Sequence, residues 1–592
     1  MISINSRRMT SLAMLLIIIT AVLAGCNLER ERTFKLNDDW SRGNRIGTAS
    51  IRQAVGIDGD DQGTYIMWAE RQEEGNRLAV SHLAADGTVI SKTVVPISTL
   101  FPRRLQIVAG DVLHSFAVTR LQSGDSDGVY YFQLGRDGQI VEGPQRLTMP
   151  EQKSAVLSVS KAPDNTMHLV WDVVEGPGKG VYYQRLLPDG SFDGFPQLIG
   201  PDGEQPTGAV DEKGVFHAAW ITGVTPTTYD LLYASVAPGA RTSSEPVRVG
   251  DLRIAISDVT FPPTMAVDPS HVYILWSQEH RSGLEQGTAE TFYVAFPRGE
   301  PGLRVPEPLL VSSEAAPAYR ETTEFPPLTE MAYPGESTLG TTFLENPSAV
   351  ASPGAEFAMV VADMMFDFRF DPRPQTVLLI FQDGQFVAYQ QPARTRHYSQ
   401  QMQGFMSDDG EYHLAWVDLE NLGQYSVYYA STREEARELL ALRTSNDTAL
   451  DAMDAMWGMA SGISLLPLIA IILLPLIIVC GVFYFTGNDD SIKTSWAAKL
   501  TLAISIVLYL GTKIFILAAV VTRPPFYQSV PESLQGIWWL LMFLLVAAVA
   551  GLATWIYIRR SSRPYLLRAV FTFALTDSLL TLLLYGPSFF GD

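Results

Sequence analysis

The sequence predicts an all-β seven-bladed propeller followed by a C-terminal α-helical bundle of four transmembrane spans. Three observations lead there: a strand motif repeated through 45–431, four apolar runs within 461–592, and a targeting segment at the start of the chain.

One hairpin states the motif most plainly. His168-Leu169-Val170-Trp171 reads as a buried strand, the stretch from Gly176 to Gly180 as a Gly/Pro turn, and Val181-Tyr182-Tyr183 as the returning strand, closed by Pro188-Asp189-Gly190. Aromatic and β-branched residues between turn residues are the hairpin signal. The Trp171 slot recurs at Trp68, Ala117, Trp220, Trp276 and Trp416, and the first five slots in chain order are 49, 54, 49 and 56 residues apart. A weaker copy, Phe357-Ala358-Met359-Val360, fills the long gap before Trp416, which makes seven. Val129-Tyr130-Tyr131 and Val427-Tyr428-Tyr429 repeat the returning strand, and Asp-Gly turns recur at Asp86, Asp137, Asp189 and Asp383. Such residues tolerate the positive φ of tight turns. Self-similarity at roughly 40–50 residues with about four strands per copy is the propeller pattern.

The string Gly-x-x-His-Leu-x-Trp, then Val-Tyr-Tyr, then Asp-Gly resembles the blades of sialidase-like propellers over 45–431. The resemblance implies the fold, with a sialidase-like glycoside hydrolase or lyase as the enzymatic alternative. The family's Asp-box turn, Ser-x-Asp-x-Gly-x-x-Trp, is not reproduced. In the nearest string, 407–416, the Trp arrives two positions late, and Phe101-Pro102-Arg103-Arg104 departs in order from the family's early Arg-Ile-Pro motif. No catalytic residue is therefore carried over.

The formal charge is −20 and unevenly spread. Residues 1–25 hold +2 and 461–592 hold +3, so 26–460 carry −25, which argues against nucleic acid or anionic lipid as the partner of the middle segment. Cys26 and Cys480 are the two cysteines, too few for a disulfide framework.

Arg7 and Arg8 followed by an apolar stretch at 12–22 read as a signal peptide over 1–25. Leu23-Ala24-Gly25-Cys26 resembles a bacterial lipobox, which implies cleavage after Gly25 and lipid on the Cys26 thiol. A tether is expected at 26–44 and a helical juxtamembrane linker at 432–460, with an amphipathic stretch at 446–459. Two Pro-rich insertions interrupt the repeat, at 261–264 and 301–351; the second reads as a long surface excursion.

The apolar runs at 463–485, 496–521, 536–558 and 565–589 each supply the roughly 20 residues that a spanning helix needs. Pro467 and Pro475 predict kinks in the first. A lipidated N-terminus outside the cell places the connection around Arg559, Arg560, Arg563 and Arg568 inside, in accord with the positive-inside rule. The expected location is thus a bacterial cytoplasmic membrane with an extracytoplasmic propeller. Lys513 and Asp577 are ionisable residues within spans, where isolated charge is costly. Counted at about 1.5 Å per residue from the inner ends, they stand near 22 Å and near 14 Å, a difference that a lysine side chain can bridge.

No Gly-rich phosphate loop, HExxH, CxxC or GxSxG motif is present, so no cofactor and no metal are expected. His114, His168, His217 and His413 share one repeat position, which Tyr65 and Tyr273 fill elsewhere; they read as packing groups beside the Trp. Asp172 and Asp418, read as matching positions after Trp, are expected to serve turns or strand edges. The function these features imply is a membrane-anchored surface module that binds or senses a glycan or protein partner. The remaining alternative is an accessory subunit of a membrane assembly or transport complex.

Overall fold

The computed structural model describes residues 33–441, apart from 35–37, 51–52, 54, 73–74, 122–124, 284–285, 315–316, 336–339, 353, 367–372, 396–397 and 422–423, and residues 466–590, apart from 488–490 and 521–531. Leu23, Ala24, Gly25, Cys26, most of the tether and the expected helix at 446–459 lie outside the described residues. The chain forms two compact units, within 31–442 and within 443–592.

The first unit is antiparallel β-sheet, and each sequence repeat folds as four successive strands. Leu157–Lys161, Met167–Val173, Gly180–Leu186 and Gln197–Pro201 make one sheet; Gly203–Val210, Phe216–Thr225, Thr228–Val236 and Val247–Arg253 make the next. Val89–Val108 serves two repeats. Its first half pairs with Gly75–Leu83 and its second half with Leu113–Arg120. Counting that shared sheet as two, the described residues hold seven groups of four or five strands. The innermost strands touch in cyclic order, from Gly56–Asp60 through Val89–Val108, Leu157–Lys161, Gly203–Val210, Thr264–Val267, Thr341–Ala349 and Tyr398–Met406 back to Gly56–Asp60. The sheets therefore close into a propeller-like ring.

Closure is made by the chain's two ends. Tyr398–Met406, Tyr412–Asn421 and Gln424–Ser431 supply three strands of the last group, and Asn44–Ala49 supplies the fourth, in register Asn44↔Tyr429 to Ala49↔Tyr425. Trp68 of the first group packs on this added strand and donates Nε1–H to Thr48 O at 2.9 Å. A Cβ on Gly47 would collide with the Trp68 ring. Trp220 meets Gly200 of the preceding group in the same way. Trp68, Trp171, Trp220, Trp276 and Trp416 are all at most 1% exposed, as expected of the core between strands.

Two expectations are corrected. The sixth copy is displaced by two residues. Glu345 pairs with Asp363 and Ser348 with Val361, so Ala362 stands opposite a bulge, where Trp220 and Trp416 stand in their groups. The alignment on Val360 failed because no Trp marks this slot.

The insertion at 301–351 is not a surface excursion. Leu310–Ser312 pairs with Thr341–Ala349, itself the inner strand of the sixth group, and the hairpin Arg320–Phe325/Leu328–Met331 buries Phe325, Leu328 and Met331. Its two prolines, Pro326 and Pro327, sit in the hairpin turn, where proline is at home. Residues just upstream of the ring hold this hairpin. Asp39 accepts from Thr329 N (2.8 Å), Glu330 N (3.0 Å) and Gln390 Nε2 (2.7 Å), and Trp40 donates Nε1–H to Gln390 Oε1 at 2.7 Å.

After the last strand comes helix α1, Glu434–Ala441, which stays with the ring: Arg437 donates to Asp38 O at 2.9 Å. The second unit holds α2 (Leu466–Phe485), α3 (Trp496–Val520), α4 (Glu532–Arg560) and α5 (Leu566–Phe590), all long and apolar enough to cross a membrane. Pro475 lies inside α2, whereas Pro467 falls in its first turn, where a proline removes no helical bond. The α2–α3 and α4–α5 connections meet at one end of the bundle. Ser491 bridges Tyr565, Ile492 N donates to Pro564 O at 3.0 Å, and Lys493 Nζ donates to Ser561 O at 2.8 Å.

Trp40→Ala removes a fully buried indole and its hydrogen bond, so it is expected to cost about 3–5 kcal/mol. Limited proteolysis should then cut the 320–331 hairpin before any other part of the ring; an unchanged cleavage order would refute the clamp.

Candidate functional site

All seven inner strands line one axial cavity of about 700 Å³. The lining mixes small and polar residues, among them Ser158, Ser160, Thr207, Ser348, Gln106 and Gln403, with apolar ones such as Ile57, Val159, Val267 and Met406. Four charged residues join them: Asp58, Lys161, Glu212 and Asp408. Asp58 Oδ2 accepts from Ala109 N at 2.8 Å, and Lys161 Nζ donates to Ala109 O at 3.1 Å, so the backbone of one residue links two groups of opposite charge. Burial pushes the Asp58 carboxyl up to about 6, against the Ala109 hydrogen bond and the Lys161 charge that draw it down.

Where the lining begins, four inner strands carry a β-bulge at one equivalent position. Each bulge holds a non-glycine residue in the left-handed region: Arg104 (φ 50°), Gln205 (φ 54°), Asn346 (φ 52°) and Gln401 (φ 60°). Such a conformation costs on the order of 1 kcal/mol or more per residue, and bulges re-aim side chains beside sites. Buried carboxylates secure three of them. Asp172 accepts from Ala155 N (2.8 Å), Val156 N (3.0 Å) and, across to the next group, Gln205 N (3.2 Å). Asp363 likewise accepts from Gln401 N of the next group at 2.9 Å and from Asn346 Nδ2 at 2.9 Å.

Asp172 and Asp363 are therefore the matching pair. Asp418 lies one position further along, and accepts from its own Trp416 Nε1 at 3.0 Å. Sequence reasoning missed the bulge residues, although Gln205 and Gln401 each stand 15 residues before a Trp of the repeat.

The histidines do not pack beside the Trp, since residues three apart on a strand face opposite ways. Each Nδ1 meets the hydroxyl of a returning-strand tyrosine: His114–Tyr131 and His168–Tyr183 at 2.9 Å, His217–Tyr233 and His413–Tyr429 at 2.7 Å. In the first group Tyr65 takes the histidine position and stacks on His82, directly opposite it, with ring centroids 4.6 Å apart. Burial pulls His168 down to about 4 and His413 to about 3. Among the described residues no group of three or more His, Cys, Asp or Glu is placed to hold a metal ion.

In the helical unit Lys513 of α3 and Asp577 of α5 meet, Nζ to Oδ2 at 2.7 Å, at 1% and 0% exposure. Tyr509 donates to the same oxygen at 2.8 Å and stands 3.1 Å from Ser578 Oγ, and Lys513 lies over the Phe543 ring of α4, 5.2 Å from its centroid. One polar knot thus joins three helices.

No family model and no curated protein matches the chain. Solved structures that resemble it include a protein of unknown function from Dyadobacter fermentans (9% identity, TM-score 0.34, covering 66% of this chain and 98% of that one). Others are an endo-arabinase from Bacteroides thetaiotaomicron (11%, 0.29, 65% and 95%) and an exo-β-1,3-galactanase from Clostridium thermocellum (12%, 0.28, 65% and 96%). At this identity and score they assign neither ligand nor reaction.

Two outcomes follow from the buried groups. His168 and His413 titrate below the unfolded value near 6.5, so the unfolded chain binds more protons and the ring loses stability as pH falls from about 6.5 toward 4. Asp58, raised to about 6, acts in the opposite sense: its contribution declines as pH rises from about 4 to 6. His168→Gln with His413→Gln should flatten the acid limb of a urea-denaturation series, and an unaltered limb would count against the assignment. In the bundle, Lys513→Ala or Asp577→Ala alone strands a buried charge and should cost about 3–5 kcal/mol, whereas Lys513→Met with Asp577→Leu should cost far less. Denaturant titration of the full chain in detergent reads the difference; singles no worse than the double would exclude a mutually dependent pair.

Proposed function

We propose that the chain is a membrane-held surface protein whose seven sheet groups are the blades of a propeller that binds a glycan at its axis. The observation that carries this reading is the axial cavity shared by all inner strands, whose lining sets hydroxyls, amides and four charged residues among apolar side chains. Its hydroxyls and amides match the donors and acceptors of sugar hydroxyls. The strained bulges at the start of that lining support a site rather than a passive channel.

Lys493, Arg559, Arg560, Arg563 and Arg568 gather at or near the end of the bundle where the two connections meet, which supports placing that end in the cytoplasm. The lipobox-like Leu23-Ala24-Gly25-Cys26 supports a lipid on Cys26, with the ring outside the cytoplasmic membrane. Lys513 and Asp577 act in this reading as a structural lock of the bundle.

A glycan array probed with the full chain in nanodiscs tests the ligand class: binding to one saccharide family is expected, and capture of protein partners with a silent array would overturn it. In cells, Cys26→Ser should abolish fatty-acid labelling, and a cysteine at Ser561 should resist a membrane-impermeant maleimide until the membrane is opened. Immediate labelling there would reverse the topology.

A further inference from the structure

Three adjacent inner strands bring opposite charge to one point of the axial cavity. Asp58 stands on Gly56–Asp60 of the first group, and Lys161 ends Leu157–Lys161 of the third. Both reach the backbone of Ala109 in the second group, at 2.8 Å to its N and 3.1 Å to its O, and both line the cavity. The other two charged residues of the lining, Glu212 and Asp408, lie in turns, and Glu212 is engaged by Arg298 Nη1 at 2.6 Å. Among the described residues, Asp58 is thus the carboxylate that this lining carries on a strand.

A carboxylate offers about four lone-pair positions, and Asp58 receives backbone N–H groups from Ala109 and Gly59. Its remaining capacity is open to a hydroxyl entering the cavity, and hydroxyls donate more strongly to an ionised acceptor than to a neutral one. The surrounding groups oppose one another. Burial and Asp60, on the same strand, favour the protonated form, whereas Lys161 and the two N–H groups favour the anion. Asp60 is itself paired with Arg136 of the second group at 2.8 Å, and Arg136 also donates to Gly110 O at 3.1 Å. From the flanking strands come Tyr65, opposite Asp58 in register and stacked on His82, and His114, opposite Val108 and bonded to Tyr131. The seventh group, whose Phe405 lies against Gly59, adds Asp408 to the lining.

We propose that Asp58 is the saccharide-holding carboxylate of the axial cavity and that its proton governs release: the anion accepts ligand hydroxyls, and the acid form lets them go. This rests on the glycan reading above and adds its regulation. With the carboxyl raised to about 6, affinity declines as pH drops through the mildly acidic range, because the saccharide and the proton compete for the same oxygens. Lys161 is a positioning residue here: its ammonium keeps the anion populated.

The test uses the full chain in nanodiscs on an array of neutral oligosaccharides of galactose, arabinose, glucose and mannose, read at about pH 7.5 and about pH 5, on either side of the transition. Binding should weaken about tenfold at the lower pH, the loss expected when one proton on a group near 6 competes with the ligand. Asp58→Asn, which keeps an acceptor for Ala109 N, should bind weakly at both values and show no slope. Lys161→Gln should move the midpoint to higher pH, since the ammonium draws the Asp58 carboxyl down. His82→Gln, which removes the titratable ring stacked on Tyr65, should leave the slope in place. A flat wild-type profile, a slope surviving in Asp58→Asn, an unmoved midpoint in Lys161→Gln, or a slope abolished by His82→Gln would each overturn the switch. Binding that ignores pH overturns the switch and leaves the glycan reading standing; a silent array removes both.

Discussion

Everything in the ring depends on one strand from the start of the β unit completing a sheet made by that unit's end. Asn44–Ala49 pairs with Gln424–Ser431 across almost the whole length of the β unit. A sheet group of this kind buries its faces only against its neighbours, so an open arc would leave two apolar faces in water. The pairing removes both. It is reinforced where a glycine, Gly47, lets Trp68 of the first group close on the added strand, and where Ser41 N donates to Ser431 O at 2.7 Å. The same upstream residues, Asp39 and Trp40, then reach the sixth group through Gln390. One short segment therefore fixes the seventh group's edge and the hairpin inserted before the sixth.

The repeating side chains fall into two sets because a strand has two faces. The Trp positions pack against the preceding group's outer strand, as Trp220 does on Gly200, while the His positions, on the opposite face, pair with tyrosines of the returning strand. His168 also stacks on Phe216 of the next group at 5.0 Å, and His413 Nδ1 stands 3.4 Å from Thr64 of the first. The third, fourth and seventh groups, which have both residues, are thus joined to their neighbours by an indole on one side and a polar aromatic pair on the other. Charged latches add to this, such as Arg298 of the fifth group on Asp211 and Glu212 of the fourth. Despite its burial, hydrogen bonds from His217 and Val215 and the charge of Arg298 hold the Asp211 carboxyl down to about 2.

How much of this was legible in the sequence depends on whether a residue's role is local. The Trp slots, Val-Tyr-Tyr returns and Asp-Gly turns are strand and turn chemistry within one hairpin, and they mark the repeats wherever Trp is present. Where Ala362 replaces it, the register slipped by two and Asp363 was hidden as the partner of Asp172. The hairpin at 320–331 was equally illegible, because its burial is supplied by Asp39 and Trp40, some 290 residues upstream. Lys513 and Asp577 could be singled out because charge in an apolar run violates a local rule. Arg104 could not: on a strand of an acidic, solvated unit an arginine is unremarkable until the bulge and its unanswered donors are seen together.

The two departures from ordinary burial carry opposite meanings. Lys513 and Asp577 answer each other through Oδ2, with Tyr509 and Phe543 beside them, while Asp577 Oδ1 has no hydrogen-bond partner among the described residues. A pair so enclosed specifies how α3, α4 and α5 meet, and contributes little net stability over apolar residues of the same volume. Arg104 is answered by nothing within reach, while its structural equivalents at Gln205 and Gln401 are fastened by Asp172 and Asp363. Fold maintenance alone would let that position be a glutamine like the others.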